Sequence, residues 1–152
     1  EILIGLVGSE MCIRDSIRTA REVNDHKPFW VIDQVKAAVA DCLAATDKRA
    51  SELKIACFGL AFKPNIDDLR ESPAMEIAEL IAQWHSGETL VVEPNIHELP
   101  KKLTGLCTLA QLDEALATAD VLVMLVDHSQ FKVINGDNVH QQYVVDAKGV
   151  WR

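Results

Sequence analysis

The chain has only four cysteines, Cys12, Cys42, Cys57 and Cys107. No two of them stand as CxxC or at a metal-ligand spacing, which excludes a zinc module and a disulfide framework. Cys42 and Cys57 fall inside apolar patterns and read as small core residues. This usage fits a reducing, cytoplasmic compartment. No apolar run approaches the ~20 residues needed to span a bilayer, so no membrane partner is expected. Positive charge is scarce: 15 Lys and Arg against 23 Asp and Glu leave a net charge of -8. That argues against a nucleic-acid surface, which needs clustered positive charge. Glycine never assembles into G-x-G-x-x-G: Gly5 and Gly8 do not complete it and Gly59 stands alone, so a dinucleotide fingerprint is not supported. No internal repeat or low-complexity segment is present.

What remains is an ordinary globular composition, 49% hydrophobic and 25% charged over 152 residues, enough for one domain with a real core. Residues 1–16, EILIGLVGSEMCIRDS, have two readings. Ile2-Leu3-Ile4 before Gly5 and Gly8 resembles a natural N-terminal strand with turns. The favoured reading is a foreign or mistranslated segment joined near Ile17. Helical character from Ile17 to Val23 is expected to break at Lys27-Pro28. A helix from about Pro28 to Ala45 follows, because Ile32, Val35, Val39, Cys42 and Leu43 form one apolar stripe. Such a stripe needs a partner. Thr46 to Arg49 reads as a polar linker, dividing a helical region, 17–48, from the domain over 49–152.

From Leu53 the period changes. Lys54 to Phe58 is a short strand. Ser72 suits a helix N-cap with Pro73 at the first position, and Ile77, Leu80, Ile81 and Trp84 make the helix stripe, with Gly87 as its stop. Thr89 to Val92 is a second strand. Thr108 and Gln111 form a capping box for a helix burying Leu109, Leu112, Leu116 and Ala119. Val121 to Val126 has the unbroken apolarity of a parallel strand covered on both faces, and Tyr143 to Val145 is a last strand. This alternation predicts an α/β fold, a doubly wound parallel sheet with right-handed crossovers, preceded by a helical arm.

Chemistry concentrates in the loop from Gly59 to Pro73, because open α/β sheets bind ligands at the carboxyl ends of their strands. Lys63 can meet a phosphate or a sugar oxygen, although a loop lysine is more often a solvated charge. Phe62 beside it can pack on a base or ribose, and Pro64 stiffens the loop. Arg70 can grip a phosphate or carboxylate in two-pronged fashion; the alternative is a salt bridge to Asp67 or Asp68. That acidic pair is expected to cap backbone amides rather than bind metal. Glu93 ends the second strand, where a Rossmann-type domain places its ribose-gripping acid, but the glycine fingerprint that should accompany it is absent. Asp127-His128-Ser129 are sequence neighbours, not an arranged triad, and read as a strand-end turn with a capping Asp. Lys148, after the last strand, can reach the same edge as Lys63.

The run Gly59-Leu60-Ala61-Phe62-Lys63-Pro64-Asn65-x-Asp67-Asp68-x-Arg70-x-Ser72-Pro73 resembles the signature opening the C-terminal domain of the UDP-glucose/GDP-mannose dehydrogenases. The likeness extends from Ile17 to Arg152, and Ile66 replaces the commoner Thr of the motif. The resemblance implies NAD-dependent oxidation of a sugar C6 hydroxyl to a carboxylate in two hydride transfers. It implies that 17–48 ends a central helical dimerisation region of a homodimer, and that the remainder is a UDP-sugar-binding domain. It places Phe62, Lys63 and Lys148 on the UDP-sugar substrate and Arg70 on NAD across an interdomain cleft. The family's glycine-rich NAD fingerprint, its nucleophilic cysteine in a Gly-Gly-x-Cys context, and its assisting Lys and Asn are not in this stretch. Cys12 does not stand in that context. The expectation is therefore a C-terminal fragment without catalytic residues, its NAD bound mainly by an absent domain. The alternative is a stand-alone nucleotide-binding or interaction module.

Overall fold

The structure is a computed structural model that describes residues 2–134, 137, 139 and 142–151, with the backbone alone for 2–10. Helix α1 spans Ile2–Ala45, and a 3-10 turn at Ala50–Glu52 leads into strand β1, Lys54–Phe58. Then come α2 (Pro73–Trp84), β2 (Glu88–Val92), β3 (Thr108–Leu109), α3 (Leu112–Thr118), β4 (Val121–Met124), α4 (Ser129–Lys132) and β5 (Tyr143–Asp146). The five strands form one sheet in the order β3-β2-β1-β4-β5, and every pairing is parallel. The expected doubly wound sheet is what the chain forms.

The period of a strand explains the two cores. On β1, Ile55 and Cys57 point into one cluster, with Val31, Val35 and Val39 of α1 and Ile77 and Ile81 of α2. Ala56 and Phe58 point the other way, toward Ala115 of α3, Phe131 of α4 and Trp151. Successive side chains leave a strand on opposite faces, so a strand covered on both sides must be apolar throughout.

Helix α2 starts as its sequence signals: Ser72 accepts a hydrogen bond from the Met75 amide at 3.5 Å, and Pro73 takes the first turn. Other boundaries differ. The stretch 2–16 is helical rather than a strand with turns, Ile17 to Val23 is helical as expected, and α1 runs on through Pro28. A helix-interior proline costs about 3 kcal/mol. Burying Val31, Ile32, Val35, Val39 and Cys42 outweighs that at roughly 1.5–3 kcal/mol for each large side chain. The stripe expected to need a partner finds it inside the chain, against α2 and the sheet. Thr108 is no helix cap. It pairs with Leu90 as edge strand β3, and α3 begins behind Gln111, which makes no side-chain cap. Gly87 does not end α2, whose C-cap is His85. A Cβ at Gly87 would collide with the Leu53 carbonyl and lie 2.6 Å from the His85 ring.

Candidate functional site

The strand order reverses between β1 and β4, and in such sheets the crevice opens beyond the carboxyl ends of the strands flanking that reversal. Here those ends carry the loop 59–72, the segment 125–128 and, from the neighbouring β5, residues 147–150.

The loop leaves β1 through Gly59, whose φ is +87°. A Cβ there would stand 2.5 Å from the Val126 Cβ and 2.8 Å from its carbonyl oxygen, so packing and backbone both require glycine. The next two amides, of Leu60 and Ala61, donate to Glu93 Oε2 at 2.6 and 3.1 Å. The amide and side-chain nitrogens of Asn95 donate to Glu93 Oε1, both at 3.2 Å. His128 Nε2 lies 3.0 Å from Oε2, and both side chains are buried. His128 Nδ1 accepts from the Asn65 amide at 2.9 Å, so Nε2 carries the ring hydrogen and donates to Glu93. The Asn65 side chain in turn accepts from the Ser129 amide at 2.9 Å, while its backbone holds φ +62°, a conformation asparagine tolerates better than most residues. One buried carboxylate and one neutral imidazole thus fix both ends of the signature's first half.

Burial opposes ionisation of Glu93. The bonds from His128, Leu60 and Asn95 outweigh it and hold the carboxyl below its usual value. A depressed carboxyl pKa contributes stability above the unfolded value, about 4.3, and loses it as pH falls through the folded value. Stability of the wild-type chain is therefore expected to drop below about pH 4. Glu93→Gln should flatten that part of a denaturation-midpoint profile measured from pH 3 to 6. A wild-type and variant slope that coincide would refute the assignment.

The sequence did not foresee that these two residues would meet. Glu93 is no free ribose-gripping acid, since its oxygens are already taken. His128 does sit in the expected strand-end turn, its amide donating to the Val126 carbonyl at 3.1 Å, but Asp127 pairs with Lys132 at 2.7 Å. The sheet does not fit NAD, because Gly59 is filled against Val126 and the acid is spent internally. Burial raises the Cys57 thiol and pushes Cys107 up to about 11, so neither offers a thiolate nucleophile. Among the described residues no cluster of His, Cys, Asp and Glu is placed to hold a metal.

A cavity of about 140 Å³ lies at the reversal. Phe62 from the loop and Lys148 from beyond β5 line it together, with Asn24, Lys27 and Pro28 of α1. Lys148 is positioned by Asp146, whose carboxylate accepts from the amides of Lys148, Gly149 and Trp151 at 2.9, 2.7 and 2.8 Å. Lys63 does not line the cavity; its ammonium sits 5.9 Å from the Phe62 ring centroid. Arg70 faces a different surface, a shallow depression with Asp67, Leu69 and Pro100. Its guanidinium clasps Asp68 through two bonds of 2.9 Å, which, with the Arg70 amide, draw the Asp68 carboxyl down to about 2. Asn24 and Lys27 escaped the sequence reading because Pro28 was taken to break the helix that presents them.

The sequence profile of the UDP-glucose/GDP-mannose dehydrogenase family, UDP binding domain, matches residues 56–152. The chain belongs to that family. The matched stretch takes in the sheet from Ala56 of β1 onward and the loop described above. Over 136 residues, 90% of this chain, it is 99% identical to the UDP-N-acetyl-D-mannosamine dehydrogenase of Escherichia coli strain K12, of which that is 32%. The protein of that name from Salmonella typhi is 85% identical over the same shares. Among solved structures, the UDP-N-acetyl-mannosamine dehydrogenase from S. aureus superposes with a TM-score of 0.67 at 30% identity, covering 88% of this chain and 29% of that one. The chain spans about a third of the length of the family members it matches.

Proposed function

We propose that this chain is the sugar-nucleotide-binding part of an NAD-dependent UDP-N-acetyl-D-mannosamine 6-dehydrogenase. The whole enzyme would oxidise the sugar C6 hydroxyl to a carboxylate for surface polysaccharide. The observation that carries the reading is the cavity at the strand reversal, which Phe62 and Lys148 line together within a stretch that matches a UDP binding domain. Near-identity to proteins bearing that name supports the choice of sugar. The matched length, 136 residues, equals that of Ile17 to Arg152 and supports a foreign origin for residues 1–16.

In this reading Phe62 packs on the base or ribose and Lys148 meets the diphosphate, while Lys63, outside the cavity, meets a phosphate or sugar oxygen of the portion of ligand that extends beyond it. Arg70, on the opposite face of the loop, reaches toward NAD held mainly by a part of the enzyme outside these residues. Catalytic residues lie outside the chain. Exposed Ile17, Val23, Phe29 and Trp30 on α1 support a homodimer built on that helix, and the composition supports a cytoplasmic enzyme. No helix among the described residues is long and apolar enough to cross a membrane.

Calorimetric titration with UDP-N-acetylmannosamine tests the reading. Lys148→Ala and Lys63→Ala should each weaken binding about ten-fold, the loss of one charge-assisted contact. Unchanged affinity in both would overturn the site. Equal or better turnover of UDP-glucose by the full-length gene product would favour a UDP-glucose 6-dehydrogenase. A stop codon and ribosome-binding site just upstream of the Ile17 codon would favour a non-catalytic nucleotide-sugar-binding module.

A further inference from the structure

The face that α1 turns toward the domain changes character along its length. From Pro28 onward it is apolar and buried, through Val31, Ile32, Val35, Val39 and Cys42. Asn24, Lys27, Pro28 and Val31 stand at i, i+3, i+4 and i+7, one continuous face of a helix. All four line the 140 Å³ cavity. The stripe therefore turns polar where it passes over the cavity, although it still faces the body of the protein.

Two further observations point the same way. Among the described residues, Lys48, Lys54 and Lys132 each pair with a carboxylate; Lys27 and Lys148 form no ion pair, and of the lysines without one they are the two that line this cavity. Lys27 and Lys148 thus bring two ammonium groups to the lining of one small cavity; Asp127, a carboxylate on which Lys148 acts, is already paired with Lys132, so an anion in the cavity would be stabilised by both. Pro28 has no N–H, so the Asn24 carbonyl four residues earlier lacks its helical donor. A backbone acceptor and a carboxamide are thus left beside Lys27. The cavity is smaller than a typical site for a whole ligand, so it takes one portion of a larger molecule.

We propose that α1 completes the sugar-nucleotide site, with Lys27 pairing with the diphosphate opposite Lys148 and Asn24 hydrogen-bonding a ligand hydroxyl. This rests on the UDP-sugar reading above. It adds a wall, supplied by the helix, that the signature loop does not contain.

Titration calorimetry with UDP on the 152-residue chain tests it, using Lys27→Ala, Lys27→Arg, Lys148→Ala and, as a distant surface control, Lys101→Ala. Lys27→Ala should weaken UDP about ten-fold. Lys27→Arg should keep most of the affinity, and Lys101→Ala all of it. Lys27 is exposed, so the melting temperature of Lys27→Ala should match the wild type, separating a lost contact from a lost fold. UDP affinity unchanged in Lys27→Ala while Lys148→Ala weakens it would overturn this inference alone. No UDP binding by the wild-type chain would overturn the UDP-sugar reading and this inference with it.

Discussion

Glu93→Ala is expected to destabilise the chain by about 3–5 kcal/mol, the largest loss of any single side chain at the site. The change removes the acceptor for the Leu60 and Ala61 amides and for His128 Nε2, all in buried surroundings. Each buried donor left without a partner costs roughly 1–3 kcal/mol, and partial hydration of the new space recovers some of that. For a domain of this size the melting temperature should fall by roughly 6–20 °C. Glu93→Gln should be milder but still costly: both oxygens accept, so the amide nitrogen must face a donor wherever it is placed. Urea denaturation followed by circular dichroism would measure both. A loss below about 1 kcal/mol for Glu93→Ala, the size of an ordinary surface change, would show that the network does not hold the loop.

Gly59→Ala is expected to rank close behind, at about 2–5 kcal/mol. Left-handed backbone costs an alanine about 1–2 kcal/mol, and forcing an extra methyl into packed surroundings adds about 1–3 kcal/mol. The contact is with the Cβ and carbonyl oxygen of Val126. A second change, Val126→Ala, retains both atoms and should not rescue the variant. Thermal melts of the single and double variants check this. A double variant restored to wild-type stability would place the clash on the outer methyls of Val126 instead. Because Gly59 begins the loop that carries Phe62, UDP affinity should fall alongside stability.

Much of the fold was legible locally. The bounds of β1 and the Ser72-Pro73 start of α2 follow from apolar runs, cap chemistry and helical period, which act between near neighbours. The signature from Gly59 to Pro73 was legible as a loop at the sheet's carboxyl edge because polar residues directly after a buried strand are placed there. The errors have one cause in common. Lys27-Pro28 reads as a break, Thr108 as a cap and Gly87 as a helix stop when only neighbours in sequence are weighed. Contacts with α2, β2 and Leu53 respectively decided otherwise, because the burial or close approach each allows is worth more than the local preference.

The sequence by itself determined a parallel α/β sheet, a polar loop at its carboxyl edge, and Phe62 and Lys148 as residues of that edge, which the structure brings to one cavity, since period, capping and motif are properties of short stretches. Only the tertiary structure decided that the order β2-β1-β4 sets Glu93 and His128 on either side of that loop. Their bonds join residues 33, 35 and 63 positions apart. It also decided that Lys63 and Arg70 part company with the cavity while α1 brings Asn24 and Lys27 to it. Which side chains meet across a sheet depends on strand pairing, and strand pairing depends on burying both faces at once, a condition no short stretch of sequence can satisfy alone.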